Sequence, residues 1–377
     1  MNIPPLWKLK RELNRVKNQF IFLPQTVASW PSRALERKRR ETYLQEFTSF
    51  ARETIGAQPL LPKVCIFLIY QPNKVASSIF ETIRWMSNSG YAVFCVVNST
   101  LSAPDLSALI SSSWRVLERP NFGYDFGGYQ DAIKILNRDG ISPDVLTILN
   151  DSIWVFPSSA LMEQLEEAIK KYDIYGLLVD EKVNHDLSGG TPSKKSHVES
   201  YFYIMGSKVW LSSHFQNFWK SYKMTDYKPN TIEYGEIGFS RQMMAAGFRL
   251  DAYSSRKNFL EAIRRKDNRF IEQTLNYGAY ADRDVEKSAK KLEEIPKNSE
   301  IWREAALEHI RRAVNRKRFN ATFPFANEHI FGTQFMKKSS EPIFSEMRHQ
   351  YLRAIDDGAI RSHQKVILDE IRREHQK

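Results

Sequence analysis

The stretch VLERPNFGYDFGGYQDAIKILNRDGISPDVLTILNDSIWVFPSS, residues 116–159, decides the fold. A glycine-rich loop, Asn121–Tyr129, opens a helix that runs to about Asp139-Gly140. Val145–Leu149 then reads as a buried strand, and it stops abruptly on Asn150-Asp151-Ser152. An apolar strand with an acidic tip, beside a glycine-rich loop, is the layout of a phosphate or metal-phosphate site in an open α/β sheet. Ligands there gather beyond the carboxyl ends of parallel strands.

The same alternation continues on both sides. Upstream, Lys63–Tyr70 and Tyr91–Asn98 are continuous apolar runs, the pattern of strands covered on both faces. Asn73–Ser89 between them reads as a helix with Val75, Ile79, Ile83 and Met86 on one face. Asp105–Ser112 is a short helix and Arg115–Glu118 a third strand. Downstream come a helix over Leu161–Lys171 and a strand over Ile174–Val179. This β-α-β-α-β order predicts a mostly parallel sheet with helices on both faces.

Beyond Asp180 the character shifts. Residues 181–195 are polar, carry Gly189-Gly190, and read as a mobile active-site loop. A strand over His197–Met205, a helix over Lys208–Tyr222 and a loop over Lys223–Thr231 follow. A helix over Glu233–Ala246 has an acidic start suited to the helix dipole. Gly247 stops it, and Phe248–Tyr253 is a terminal strand. From Ser254 the pattern is helical and charged, with basic clusters at Arg264-Arg265-Lys266 and Arg311–Arg318 and an aromatic loop at Asn320–Lys338. The expected division is 1–58, a basic helical extension; 59–253, the catalytic α/β domain; and 254–377, a helical region.

The N-terminal extension sets Leu6, Leu9, Leu13, Val16 and Phe20 on one helical stripe with a basic opposite face. That pattern suits an interfacial helix on anionic lipid, and equally a helix docked on its own domain or on a second copy. A second helix, from Pro31 to about Thr54, would turn Leu44, Phe47 and Phe50 inward. Residues 1–40 hold ten Lys and Arg against Glu12 and Glu36, a local +8 within a net +11. Such asymmetry points to an anionic partner surface. Nucleic acid is not the expected one, because RNA binding needs a basic, aromatic sheet face and the basic residues here fall mainly on helices.

With 42% hydrophobic and 12% aromatic residues, the chain can bury a large core. Cys65 and Cys95 sit inside apolar runs and read as reduced core thiols. No apolar run approaches the roughly 20 residues of a membrane span, and Lys8, Lys10 and Arg11 interrupt any signal-peptide core. The expected location is cytoplasmic, peripheral on the inner face of the plasma membrane.

Two elements carry candidate chemistry. The loop Asn121–Tyr129 has the spacing GxxxGG, neither a dinucleotide fingerprint nor a Walker loop. Its glycines either let the backbone approach a diphosphate at a helix N-terminus or simply permit a tight turn. Asp151, directly after a buried strand, either holds Mg²⁺ or Mn²⁺ against a diphosphate or caps a turn with Asn150 and Ser152.

YGEIGFSRQMMAAGFRLDAY, residues 234–253, resembles the acceptor-side helix of inverting glycosyltransferases with the nucleotide-diphospho-sugar (GT-A) fold. Glu236 falls at that family's acidic position, and Ala246-Gly247-Phe248-Arg249-Leu250 matches the end of its motif. RPNFGYDFGGY looks like the family's Asn-x-Gly loop, and LTILNDSIW stands where its DxD motif stands. The chain is most similar to the rhamnan synthesis protein F family, through N-x-G-x-D at 121–125, Leu149–Ser152 and ESYFYIM at 199–205. The resemblance covers about residues 63–253. It implies Glu236 as general base with Glu233 as neighbouring carboxylate. It also implies a donor site of Tyr70, Asn121, Gly123, Asp125, Gly127, Asn150 and Asp151, with a divalent cation (Mg or Mn) on Asp151. The implied donor is a nucleotide-diphosphate sugar such as dTDP-L-rhamnose, and the implied acceptor a lipid-linked cell-surface glycan. Two departures stand out: the DxD position reads Asn-Asp-Ser, and the usual acidic pair reads Gly235-Glu236. A nucleotidyltransferase, or a binding module that keeps the fold without turnover, are the competing functions. His185 and His197 bracket the polar loop within reach of a diphosphate, and His214 follows.

Overall fold

The computed structural model describes residues 30–180, 196–361 and 364–375. The amphipathic stripe of residues 6–20, the polar loop 181–195 and His185 lie outside the described residues. The first helix, α1 (Trp30–Phe50), leads into a short strand β1 (Arg52–Ile55). Then come β2 (Lys63–Ile69), α2 (Ser77–Asn88), β3 (Tyr91–Val97), α3 (Ala103–Ser112), β4 (Arg115–Glu118), α4 (Tyr124–Arg138) and β5 (Val145–Asn150). After these run β6 (Ile153–Val155), α5 (Ser159–Lys171), β7 (Ile174–Asp180), β8 (His197–Val198), β9 (Phe202–Gly206), β10 (Leu250–Ser254) and, far downstream, β11 (Phe335–Lys337).

The main sheet has the order β1-β4-β3-β2-β5-β9-β7-β10, with β8 on β7. Its core β4-β3-β2-β5 is parallel, as the alternation requires; β9 runs antiparallel between β5 and β7, and β10 is parallel to β7. The fold is therefore mixed α/β with helices on both faces. Strand β2 explains why: Cys65, Phe67 and Ile69 pack into one apolar cluster with α2 and α5, while Val64, Ile66 and Leu68 pack into another with α4. A strand buried on both sides needs unbroken apolar sequence.

The first cluster continues into Trp302, Ile310 and Phe323. The helices after Ser254 thus share the core of the sheet, and the boundary at 253/254 marks a change of secondary structure, not a gap in packing. Glu370 shows the tie at its closest. Its carboxylate accepts from Ser78 N at 2.8 Å, at the open N-terminus of α2, and from Trp154 Nε1 at 3.0 Å.

Five expectations need correction. Helix α1 ends at Phe50, not near Thr54, because Arg52–Ile55 pairs with the otherwise open edge of β4. Phe47 and Phe50 pack inward as expected, around the buried Tyr43, but Leu44 is 48% exposed. The strand at His197–Met205 is interrupted: the chain turns at Glu199–Tyr201, with Phe202 N donating to Glu199 O. The helix at Lys208–Tyr222 breaks after Trp210, where Ser212 caps a new helix by accepting from Phe215 N. The helix expected from Glu233 starts earlier, at Lys228, and runs as a wide π-helical turn over Thr231–Ile237 before continuing as Gly238–Ala245. Neither Glu233 nor Glu236 is therefore a first-turn residue. The aromatic loop at Asn320–Lys338 is structured: Phe319–Thr322 and Pro324–Phe331 are helical, with Pro324 in a first turn where its missing N–H costs nothing, and β11 pairs with β6.

Candidate functional site

The parallel strands end in a cleft of about 1140 Å³. Tyr70 after β2, Asn150 and Asp151 at the end of β5, and Asp180 at the end of β7 form its floor. The turn at Glu199–Tyr201 and the π-helical turn with Glu236 make one wall. Arg318, Lys337 and Lys338 from the C-terminal helices and β11 make the other.

The glycine loop is built first by a buried arginine. Arg119 donates to Asp131 Oδ2 at 2.9 Å, to the Tyr43 hydroxyl at 2.9 Å and to Asn98 Oδ1 at 2.6 Å, and also to the Phe122 carbonyl. These bonds fold residues 119–123 against the start of α4. Gly123 has φ +80°, and a Cβ on Gly127 would sit 2.3 Å from Phe122 O. The tight-turn reading accounts for both glycines. Asn121 accepts from Asn98 Nδ2 at 3.0 Å. Asn121, Gly123 and Gly127 shape the loop without lining the cleft; Tyr124 and Asp125 line it instead.

Asp125 accepts from Asn150 Nδ2 at 2.8 Å. Burial, with Asp151 and Glu236 nearby, pushes its carboxyl up to about 7. Asn150 works at both ends: its amide nitrogen donates to Asp125 and its oxygen accepts from the Ser152 N–H and hydroxyl. Asp151 Oδ2 accepts from Tyr70 N at 3.0 Å and Gln71 Nε2 at 2.6 Å. Burial raises its carboxyl, against the pull of Lys338. A divalent cation beside a diphosphate is held by one or two carboxylates together with substrate phosphates and water. Asp151, whose Oδ2 is taken by Tyr70 N and Gln71 Nε2, would be the one carboxylate the Asn-Asp-Ser tip offers.

Glu236 lines the cleft, accepts from Ser200 N at 2.9 Å and has His197 Nε2 at 3.9 Å. Gly235 before it packs on the Phe126 ring, where a Cβ would come within 2.7 Å of Cγ. That contact seats the π-helical turn and aims Glu236 inward. Glu233, one turn earlier, does not line the cleft, and neither does His214.

The sequence did not single out Glu199, Arg318, Lys337 or Lys338 as site residues. Glu199 is 2% exposed and ion-paired with Arg318, and burial raises its carboxyl. Asp180, His197 and Glu199 bring three ligand-type atoms within 4.8 Å of one another, but the Arg318 guanidinium already supplies a cation there. Lys337 and Lys338 reach the site through β11. The only sequence signal for them was a basic pair closing an aromatic stretch, 186 residues past Ser152. Among the described residues no helix is long and apolar enough to cross a membrane.

Comparison with known proteins fits this picture. A family model described as rhamnan synthesis protein F matches residues 93–274, which include α4, the β5 tip and Glu236. A Sinorhizobium fredii protein described as uncharacterized protein y4gN is 31% identical over 273 residues, 72% of this chain and 67% of its own. Two solved structures show weak overall similarity. The glycosyltransferase GlyE of Streptococcus pneumoniae aligns with TM-score 0.27 and 9% identity over 52% of this chain and 45% of its own. The mannosyltransferase Ktr4p of S. cerevisiae aligns with TM-score 0.25 and 10% identity over 45% of this chain and 62% of its own. The chain thus spans less than two thirds of either structure. The family match spans the loop, strand-tip and helix motifs. The chain belongs to the rhamnan synthesis protein F family.

Proposed function

We propose that this protein is an inverting glycosyltransferase on a GT-A-like sheet, taking a sugar from a nucleoside-diphosphate donor to a glycan acceptor. The observation that carries the proposal is the position of Glu236. It stands in the same cleft as the tip of β5, held by the Ser200 N–H. In the reaction the acceptor hydroxyl oxygen attacks the anomeric carbon. The bond from that carbon to the diphosphate oxygen breaks, and its electron pair stays on the diphosphate. The hydroxyl proton passes to the Glu236 carboxylate, a step general bases typically speed by about 10²–10⁴. Asp125 and Asn150 brace the donor side, and Tyr70 forms its rim.

The family name favours rhamnose, hence dTDP-L-rhamnose as donor and a rhamnose-containing cell-surface polysaccharide, lipid-linked during growth, as acceptor. The reaction would then run on the cytoplasmic side of the membrane, with the basic N-terminal segment as the surface contact. The test is turnover with dTDP-, UDP- and GDP-sugars, comparing wild type with Glu236→Gln. The variant keeps the Ser200 hydrogen bond, so donor affinity should hold while kcat falls by about 10² or more. An unchanged kcat removes Glu236 from the chemistry.

A further inference from the structure

The wall facing the β5 tip carries two ammonium groups, Lys337 and Lys338, that the reaction above has not used. They arrive by an unusual route. Strand β11 lies antiparallel to β6, with Lys337 opposite Ile153, and the Lys338 N–H donates to Ser152 O at 2.8 Å. The pairing pins both lysines next to Asn150-Asp151-Ser152. Each ammonium lies over an aromatic ring: Lys337 Nζ is 5.1 Å from the centre of the Tyr201 ring and Lys338 Nζ is 5.3 Å from that of Trp154. Neither ammonium forms a hydrogen bond or ion pair with another described residue. Burial lowers Lys338 below the usual ammonium range, against the pull of Asp151, Glu370 and Glu374. Partly desolvated charge with no anion in contact is costly unless one completes it.

The neighbouring carboxylates do not supply that anion by contact. We propose that Lys337 and Lys338 hold the diphosphate of the donor and receive the leaving group, so that transfer needs no divalent cation. This rests on the nucleoside-diphosphate reading above. The chemistry is consistent with it. When the anomeric carbon–oxygen bond breaks, negative charge grows on the diphosphate, and two fixed ammonium groups stabilise it as a bound cation would. Charge-assisted hydrogen bonds of this kind are also the strong ones.

The test is calorimetric binding of inorganic pyrophosphate and of dTDP, UDP and GDP to the full chain, first in EDTA and then with Mn²⁺. The variants are Lys337→Met, Lys338→Met and the charge-keeping Lys337→Arg and Lys338→Arg, each checked for folding by circular dichroism. The expected result is binding in EDTA that Mn²⁺ changes little. Each methionine variant should weaken binding by about tenfold or more, with the arginine variants close to wild type. Binding that disappears in EDTA, or methionine variants that bind as wild type, overturns the proposal. The two readings fail separately. Lysine-dependent pyrophosphate binding with no nucleotide bound would sink the donor reading and leave the lysine site. Metal-dependent, lysine-independent nucleotide binding would do the reverse. No binding of any probe overturns both.

Discussion

Arg119→Met probes the frame that holds the donor side of the cleft. The Arg119 side chain is 0% exposed and its partner Asp131 2%. Methionine fills much of the volume but removes the bonds to Asp131, Tyr43, Asn98 and Phe122 O together. Asp131 keeps only the Tyr43 hydroxyl, at 2.6 Å. Breaking a buried pair from one side leaves an uncompensated charge and typically costs about 3–5 kcal/mol. The loss should depend on pH in a definite direction. Burial already raises the Asp131 carboxyl, and Arg119 is the largest influence holding it down. Without Arg119 the folded-state value rises further above the unfolded one. Stability of the variant is then retained at low pH and lost as pH climbs through the raised value. Urea unfolding followed by tryptophan fluorescence at about pH 5 and 7.5 should show the larger deficit at the higher pH. Adding Asp131→Asn should recover part of it, because the orphaned charge disappears. A deficit below about 1 kcal/mol, or one equal at both pH values, would refute this account of the network.

Three further outcomes are expected. Gly127→Ala must displace Phe122 O, 2.3 Å from the new Cβ, and should cost roughly 1–3 kcal/mol, read as a lowered melting temperature. Asp125 titrates near 7 in the fold, against an ordinary 3.8, so its contribution to stability is full below about pH 4 and is lost as pH rises to 7. Asp125→Asn should remove that slope, worth at most ~4 kcal/mol, in denaturation curves across the range. Glu370→Ala strips the bonds at Ser78 N and Trp154 Nε1 and should destabilise by about 1–3 kcal/mol; an unchanged urea midpoint would show that the C-terminal helices are not tied to α2.

The parallel heart of the fold was legible because β2, β3 and β5 are covered on both faces and read as unbroken apolar runs. The loop at 121–129 was legible as a turn and Asp151 as a cleft residue because each sits at the end of a strongly patterned element; Glu236 was legible only through the resemblance to the family's acceptor-side helix. What escaped has physical causes. Strand β1, Arg-Glu-Thr-Ile, is short, polar and mostly exposed, and it exists only because β4 has an open edge. The π-helical turn depends on Gly235 meeting Phe126, a contact between residues 109 positions apart. Lys337 and Lys338 enter through a strand pairing that no local periodicity encodes. Arg119 was not singled out, since its partners Tyr43 and Asn98 are distant in sequence.

The central claim, that this cleft transfers a sugar from a nucleoside diphosphate, is tested most directly by following one reaction. Purified protein is given each nucleotide sugar with a rhamnose-containing oligosaccharide, and free nucleoside diphosphate and glycosylated product are measured together. The account predicts that one donor yields both in equal amounts, with inverted anomeric configuration, and that Glu236→Gln binds the same donor but forms product about a hundredfold more slowly. Product with retained configuration, or equal rates for wild type and variant, would contradict it.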